Sequence, residues 1–230
     1  MSVYSDLKTL YFMMLAPISG VTHAERLESF YGKQAKDYDE FRDRLLWGRR
    51  ELFSAVEIPE GAVWADIGGG TGASLEFMGN KIQHVKKGYI VDLSPSLLRQ
   101  AQKRILYLGT PQIELIEADA GEFVPEEKEL DLVTFSYSLT MIPEWFKVLD
   151  HAWRLLKPGG QIGIVDFFVS RKYPPEGFTR HGWFMRTFWP IWFGFDNVNL
   201  NSDHVPYLHY KFDRLLYKES LGRLPFSPFA

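Results

Sequence analysis

Seven consecutive residues combine an acid with a run of small residues: Asp66-Ile67-Gly68-Gly69-Gly70-Thr71-Gly72. Glycine adopts left-handed backbone angles at little cost and leaves the backbone N–H groups open to a ligand. A segment of this kind between a strand and a helix binds a small molecule through its backbone. We therefore predict a cofactor-binding turn, with an ordinary tight turn as the alternative.

The spacing of the glycines separates two classes of cofactor. Gly68, Gly70 and Gly72 follow the pattern G-x-G-x-G after an acid, whereas dinucleotide-binding enzymes favour G-x-G-x-x-G. The spacing therefore favours S-adenosylmethionine over a nicotinamide dinucleotide, and a methyltransferase over a dehydrogenase.

Further polar residues follow the next predicted strands. Asp92-Leu93 comes twenty residues after Gly72, at the end of the second strand, where a carboxylate can accept hydrogen bonds from both ribose hydroxyls. Asp119-Ala120 follows the third strand and is predicted to meet the adenine amino group. Ser136-Tyr137 follows the fourth and is predicted to face the sulfonium and its methyl group. The alternatives are a helix N-terminal acid for Asp92 and a surface-loop acid for Asp119.

Short apolar strands alternate with helical stretches through the middle of the chain. The predicted strands are Ala62–Ile67, Tyr89–Asp92, Ile113–Ile116, Leu130–Phe135 and Ile162–Phe168, the last entered by a turn at Leu156–Gly160. The predicted helices include Ser74–Met78 and one that begins at Ser94-Pro95 and runs to about Leu108. This alternation predicts the α/β class, with a doubly wound, Rossmann-like sheet of the class I methyltransferase type.

The chain is predicted to form a single methyltransferase domain over residues 1–230, because one core can be filled at this length. Residues 1–58 are predicted as a helical N-terminal cap, 59–169 as the cofactor-binding core and 170–230 as an aromatic substrate cap. The apolar run Leu10–Ile18 is about half the length of a membrane span, so it is predicted to pack as a buried helix or to lie in a bilayer interface.

Composition narrows the classes of partner. A net charge of -3 disfavours nucleic acid, which needs a broad cationic surface. Cysteine is absent and the histidines are scattered, so no metal site is predicted. The aromatic share of 16% is high and is concentrated in the last third of the chain.

Over nearly its whole length the sequence resembles the N-methyltransferase domain of betaine lipid synthases. The resemblance covers 22–31, 64–72, 91–97, 136–143 and 165–169, and continues in 186–189, 192–193 and 207–210, outside the cofactor motifs. It implies trimethylation of the amine of diacylglycerylhomoserine, giving the betaine lipid diacylglyceryl-N,N,N-trimethylhomoserine. It also implies a cytoplasmic enzyme peripheral to a membrane, the endoplasmic reticulum in a eukaryote, and a partner domain or protein that transfers the aminocarboxypropyl group.

This substrate predicts roles for residues outside the cofactor motifs. Its carboxylate would be bound by Arg180 or Arg186, since guanidinium binds carboxylate bidentately. Aromatic faces would stabilise the methylated cation, and the hypothesised lining is Tyr38, Tyr137, Tyr207 and Tyr210. Tyr31 is a further candidate, assigned to the cofactor. His209, like His181 and His204, is a candidate acceptor for the amine proton, with loss of the proton to water as the alternative.

Two other interpretations stay open at this point. A methyltransferase of the same fold could act on phosphatidylethanolamine, a quinone or a small amine. A noncatalytic module could bind the cofactor or a lipid without turnover. The aromatic stretch from Trp183 to Phe195 is suited to a headgroup interface or an acyl-chain groove, and a cap packed on the sheet is the alternative.

Overall fold

A computed structural model describes residues 20–31, 46–195 and 197–221, and its centre is a parallel sheet of five strands in the order β3-β2-β1-β4-β5. The strands are β1 (Ala62–Ile67), β2 (Val85–Asp92), β3 (Ile113–Glu117), β4 (Leu130–Ser136) and β5 (Leu156–Val165). The first strand, β1, lies in the middle of the sheet. β2 and β3 follow on one side of it, and the chain then crosses to β4 and β5 on the other side. The predicted doubly wound α/β sheet is confirmed, and its switch point lies between β1 and β4.

Burial on both faces explains the apolar strands. All six residues of β1 are buried, and alternate side chains point to opposite faces of the sheet. Trp64 packs in a core with Leu75 and Leu98 on one face, whereas Ala65 packs with Phe135 on the other. A continuous apolar run is therefore what a central parallel strand requires.

The helices cover the sheet and its edge. They are α1 (His23–Tyr31), α2 (Arg49–Ala55), α3 (Ser74–Met78), α4 (Pro95–Leu108), α5 (Trp145–Leu155), α6 (Trp183–Gly194) and α7 (His204–Lys211). Two 3₁₀ segments are Gly79–His84 and Leu139–Met141. None of the helices in the described ranges is long and apolar enough to cross a membrane.

Two predicted strand boundaries differ from the structure. β2 begins at Val85 rather than Tyr89, because backbone pairing with β1 and a Lys87–Glu114 ion pair of 2.6 Å extend it through polar residues. β5 begins at Leu156, opposite Leu130, rather than at Ile162, and it ends at Val165 rather than Phe168. The predicted turn at 156–160 is a register irregularity within β5, where Gly159 adopts φ +81°.

One carboxylate joins α1 to the start of α4. Ser94 Oγ donates a hydrogen bond of 2.6 Å to Glu28 Oε2, and Ser96 Oγ donates to Glu28 Oε1. Arg99 lies 3.8 Å from the same carboxylate. Burial opposes the charged form of Glu28, but the hydrogen bonds from both serines and the charge of Arg99 lower its pKa. Helix α1 is thereby held beside the end of β2.

The segment after β5 is tied to the core at two places. Asn199 N donates to Thr140 O at 2.7 Å, which joins the stretch after α6 to the loop after β4. In α7, Tyr207 and Lys211 each reach Asp150 of α5 at 2.8 Å. The ring of His204 packs edge-on against Trp145 at 4.6 Å.

We expect Glu28→Ala to lower the free energy of unfolding by about 1–2 kcal/mol, because it removes charge-assisted hydrogen bonds at the start of α4. Urea unfolding of both proteins measures the difference. Glu51→Ala, an exposed glutamate in the first turn of α2, is the control and should change stability by less than about 0.5 kcal/mol. Equal effects of the two substitutions would contradict the role given to Glu28.

Candidate active site

The glycine segment forms the loop between β1 and α3, at the carboxyl edge of the sheet. Gly68, Gly70 and Gly72 adopt φ of +66°, +57° and +70°, which is the left-handed region that side chains disfavour. A Cβ at Gly68 would also lie 2.4 Å from the Cβ of Ser138. Both the backbone angle and the close approach therefore require glycine at Gly68.

Asp92 fixes this loop to the end of β2. Gly70 N donates a hydrogen bond of 2.9 Å to Asp92 Oδ2, and Ser94 N donates one of 2.8 Å to Asp92 Oδ1. Gly68 N and Gly69 N both donate to the carbonyl of Val91, at 2.8 and 3.1 Å. The two motifs singled out in the sequence therefore meet at one edge, as predicted from their positions after parallel strands.

Asp66 lies beneath the loop and is 1% exposed. Thr134 Oγ1 donates to its Oδ1 at 2.6 Å, and Trp64 Nε1 in turn donates to Thr134 Oγ1 at 2.9 Å. Burial raises the pKa of Asp66 to about 6, against the opposing effects of the hydroxyls and of the Arg49 charge. Asp66 is therefore a buried acid that changes its charge close to neutral pH.

A small crevice opens between α2, the glycine loop and β4. Its lining combines charged groups with backbone and hydroxyl groups: Arg49, Asp66, Gly68, Gly69, Thr71, Ala73, Ser74 and Ser136. Arg49 is buried, with its guanidinium 4.7 Å from the centre of the Phe77 ring. Arg49 was not among the predicted site residues. The signal in the sequence was Gly48, which is the N-cap of α2 and adopts φ of +84° directly before the buried Arg49.

Tyr137 occupies the edge of the sheet beyond Ser136 in a strained conformation. Its φ is +57°, which is rare for a large side chain and is found mostly where function or packing imposes it. Its hydroxyl donates to Trp47 O at 2.5 Å, and its ring packs edge-on against Phe167 at 4.8 Å. Tyr137 therefore connects Trp47, just before α2, to Phe167, just after β5.

Asp166 anchors the neighbouring loop. It follows β5 and accepts hydrogen bonds from Thr140 N at 3.0 Å, Thr140 Oγ1 at 2.8 Å and Phe167 N at 2.8 Å. Burial raises its pKa to about 6, although these donors oppose the shift. With its oxygens engaged in this way, Asp166 positions the loop after β4.

Several predicted site residues have other contacts and no described contact with the glycine loop. Tyr207 donates to Asp150 at 2.8 Å, His209 packs between the rings of Phe178 and Tyr217, and Tyr210 is 84% exposed. The reason is that α7 packs against α5, through Trp145 and Asp150. Within the described residues, no ring contact joins Tyr207 or Tyr210 to Tyr137, and their shared role in one cation site stays a prediction.

The remaining predicted residues lie apart from one another. Asp119 is exposed, and its Oδ1 accepts from Gly121 N at 2.7 Å, so it caps the turn after β3 that contains Ala120. Leu93 is half-buried directly after Asp92. Arg180 lies with its guanidinium 5.5 Å from the Tyr173 ring. The backbone of Tyr31 ends α1, but its side chain, Tyr38 and the apolar run at 10–18 lie outside the described residues.

The residues that surround the crevice fit S-adenosylmethionine in chemistry. That molecule carries a carboxylate, an ammonium group and ribose hydroxyls. The crevice presents the guanidinium of Arg49, the carboxylate of Asp66 and hydroxyl groups beside glycines that leave room for a ligand, and Asp92 lies on the other side of the glycine loop. Among residues 20–31, 46–195 and 197–221, no group of three histidine or acidic side chains is arranged to hold a metal ion.

Comparison with known proteins identifies the family. The model of the ubiE/COQ5 methyltransferase family matches residues 19–186. The chain belongs to the ubiE/COQ5 methyltransferase family. The predictions of a methyltransferase dependent on S-adenosylmethionine, and of that molecule as the cofactor, are confirmed at the level of the family.

Curated relatives of this family are moderately similar in sequence. A demethylmenaquinone methyltransferase of Listeria monocytogenes is 26% identical over 153 residues, which are 63% of this chain and 63% of the relative. A ubiquinone/menaquinone biosynthesis C-methyltransferase of Pseudomonas savastanoi is 27% identical over 168 residues, 68% of this chain and 66% of the relative. The match therefore spans just under two thirds of the length of these relatives.

Solved structures share the fold. A candidate methyltransferase of Bacillus halodurans aligns with a TM-score of 0.57 at 21% identity, covering 71% of this chain and 67% of that one. Phosphoethanolamine N-methyltransferase 1 of Haemonchus contortus aligns with a TM-score of 0.52 at 20% identity, covering 70% and 36%. The predicted class I methyltransferase fold is confirmed.

We expect Asp66 to make the stability depend on pH. Its pKa is about 6 in the folded chain and 3.8 ordinarily, so its stabilising contribution is complete below about pH 3.8 and is lost as pH rises through about 6. The difference in unfolding free energy, wild type minus Asp66→Asn, should fall by about 2–3 kcal/mol between pH 4 and pH 7. Urea unfolding across this range measures it, and a difference independent of pH would contradict the buried acid.

We expect Arg49→Gln to weaken binding of S-adenosylhomocysteine about tenfold or more, because it removes the guanidinium of the crevice. Arg50→Gln is a matched control, since Arg50 also lies over the Phe77 ring, at 5.4 Å, but is exposed and outside the crevice lining. Isothermal titration gives both dissociation constants. Equal affinities for the two variants would exclude Arg49 as a ligand of the cofactor.

Proposed function

We propose that this chain is an N-methyltransferase that uses S-adenosylmethionine to trimethylate the amine of diacylglycerylhomoserine. Two findings support the proposal: the family of the chain, and its resemblance to betaine lipid synthases. The resemblance extends over Arg186–Trp189 and Tyr207–Tyr210, outside the cofactor motifs. We place the reaction at the cytoplasmic surface of a membrane. A partner domain or protein would supply the acceptor by transferring an aminocarboxypropyl group to diacylglycerol.

The observation that carries the proposal is the environment of Arg186. Its Nε atom is buried and has no hydrogen-bond partner within the described ranges. Its charge contributes to lowering the pKa of His181, after the larger effect of burial. A buried cationic donor without an acceptor is costly, and a carboxylate is the group that guanidinium binds best. The acceptor proposed here has a carboxylate next to the amine.

Arg186 lies on the face of α6 that is directed at the sheet. Trp189 and Phe193 follow it by three and seven residues, which places all three side chains on one side of the helix. Trp189 is buried, and the Phe193 ring packs on Phe167 at 4.8 Å, which in turn contacts Tyr137. Aromatic faces stabilise a quaternary ammonium group without binding it as tightly as a carboxylate would.

We assign the cofactor groups to the crevice and the neighbouring loops. Arg49 would bind the carboxylate of the amino-acid end, with Asp66 beneath its ammonium group, and Asp92 would face the ribose with Leu93 beside it. Asp119 and Ala120 would approach the adenine. Ser136 and Tyr137 would lie next to the sulfonium, as their position after β4 favours.

The bound cofactor supplies an electrophilic methyl group on a sulfonium. The residues of the chain have to hold the amine unprotonated and in line with that group, and to exclude water. His181 does not suit the role of base, because its Nδ1 already accepts from Ser170 N at 3.0 Å and burial lowers its pKa. The amine is therefore expected to lose its proton to water before the transfer.

Methylation of a quinol ring is the second candidate function. It is favoured by the curated relatives, whose names are demethylmenaquinone and ubiquinone/menaquinone C-methyltransferases. A quinol ring carries no carboxylate, and its phenol oxygens cannot form the charged, bidentate pair that a carboxylate forms with guanidinium. The two candidates therefore differ in the acceptor group and in the number of methyl groups added to nitrogen.

A direct assay separates these acceptors. The purified chain is incubated with labelled S-adenosylmethionine and mixed micelles of diacylglycerylhomoserine, phosphatidylethanolamine or demethylmenaquinol. Mass analysis should show up to three added methyl groups on the first lipid. Turnover of either other acceptor in its place would overturn the proposed substrate.

We expect Arg186→Gln to raise KM for diacylglycerylhomoserine in this assay about tenfold or more, because it removes the carboxylate partner. The affinity for S-adenosylhomocysteine should stay the same. Arg154→Gln, on the exposed side of α5, is the control for charge. If KM is unchanged in Arg186→Gln while turnover persists, the carboxylate is held elsewhere.

A further inference from the structure

The outer face of α6 is apolar and exposed. The exposed residues of the helix and its C-cap include Trp183 at 72%, Ile191 at 60% and Phe195 at 70%, with Phe184 at 47% and Trp192 at 37%. Their spacing places them on one half of the helix surface. The opposite half carries Arg186, Trp189 and Phe193. Within the part of the chain that the structure describes, nothing covers the outer face.

Cationic side chains lie beside this face. The loop that leads to α6 carries Lys172 and Arg180 together with Glu176, and from Gly177 to Phe195 the sequence has no aspartate or glutamate. On the loop that leads to α6, Lys172 and Arg180 lie 5.2 and 5.5 Å from the exposed ring of Tyr173. Cations beside exposed aromatic rings suit the anionic headgroups and interfacial region of a bilayer.

Ring contacts run from this face to the edge of the sheet. Trp192 packs on Phe188 at 5.7 Å, Phe188 on Trp189 at 5.0 Å, and Trp189 on Phe193 at 5.9 Å. Phe193 continues the contacts to Phe167 at 4.8 Å, which touches Tyr137. The exposed face is therefore continuous with the candidate acceptor site.

We propose that α6 lies in the plane of a bilayer with its outer face in the interfacial region, so that the acceptor headgroup reaches the site along the inner face. The inference rests on the proposed function insofar as the acceptor is a lipid. The helix has 12 residues, about 18 Å in length, which suits an interfacial position. A second copy or a protein partner on this face would separate α6 from the membrane that holds the acceptor.

Vesicle flotation tests the docking without the substrate. The full chain is mixed with vesicles of phosphatidylcholine, with or without phosphatidylglycerol, that contain no diacylglycerylhomoserine. The variant Trp183→Ser/Ile191→Ser/Phe195→Ser should lose about tenfold or more of its partitioning, because three exposed apolar side chains no longer enter the interface. The control Leu106→Ser/Tyr107→Ser removes side chains that are 73% and 87% exposed on α4, and it should partition like the wild type.

Each result decides the matter independently of the substrate. Stronger binding to the anionic vesicles, together with loss in the α6 variant alone, supports the proposal. Wild-type binding by the α6 variant, or no vesicle binding by the wild type, overturns it. A dimer in size-exclusion chromatography that the α6 variant dissociates also overturns it, by assigning the face to a second copy. Turnover of water-soluble glycerylhomoserine reports separately on the proposed chemistry.

Discussion

The hydrogen bond between Gly70 N and the carboxylate of Asp92 is the contact on which the arrangement of the site depends. It holds a loop with three left-handed glycines against the end of a different strand. Because β1 and β2 are parallel neighbours, one carboxylate fixes the height of the loop above the sheet. Asp66 and Ser136, at the ends of β1 and β4, then face the same crevice. The carboxyl ends of β1, β2 and β4 therefore form one continuous surface that carries Asp66, Asp92 and Ser136.

Helix α4 connects this contact to the rest of the molecule. Ser94, its N-cap, donates its N–H to Asp92 and its hydroxyl to Glu28 of α1. One turn before its C-terminus, Arg104 donates to the carbonyl of Thr71 in the glycine loop and pairs with Glu76 at 2.7 Å. The helix therefore supports the loop from both ends. Burial of the ionised Asp66 side chain destabilises the fold at neutral pH. The hydrogen bonds and the ion pair made by α4 offset part of this loss of stability.

The sequence predicts best what depends on neighbouring residues. The bounds of β1, the glycine loop, the Ser94 cap and the end of α4 agree with the structure, because burial, backbone angle and capping act locally. Arg49 was not predicted, because its place in the crevice depends on how α2 packs against the glycine loop, which is about twenty residues further along the chain. The positions of Tyr207 and His209 depend in the same way on tertiary packing. The sequence assigned them only to an aromatic cap, and the packing of α7 on α5 determines which way they point.

The acceptor is the part of the function that the family leaves undetermined, and the extent of the match explains why. The family model ends at residue 186, whereas Trp189 and Phe193, with the rings that extend from them to the surface, follow it. Residues before this boundary build the cofactor crevice, which methyltransferases acting on different acceptors can share. Arg186 lies at the boundary itself, on the face of α6 whose Phe193 packs on Phe167, which in turn packs on Tyr137. In the proposed function, the choice between an amino-acid headgroup and a quinol ring falls to α6, whose inner face would select the acceptor chemistry and whose outer face would contact the membrane that holds the acceptor.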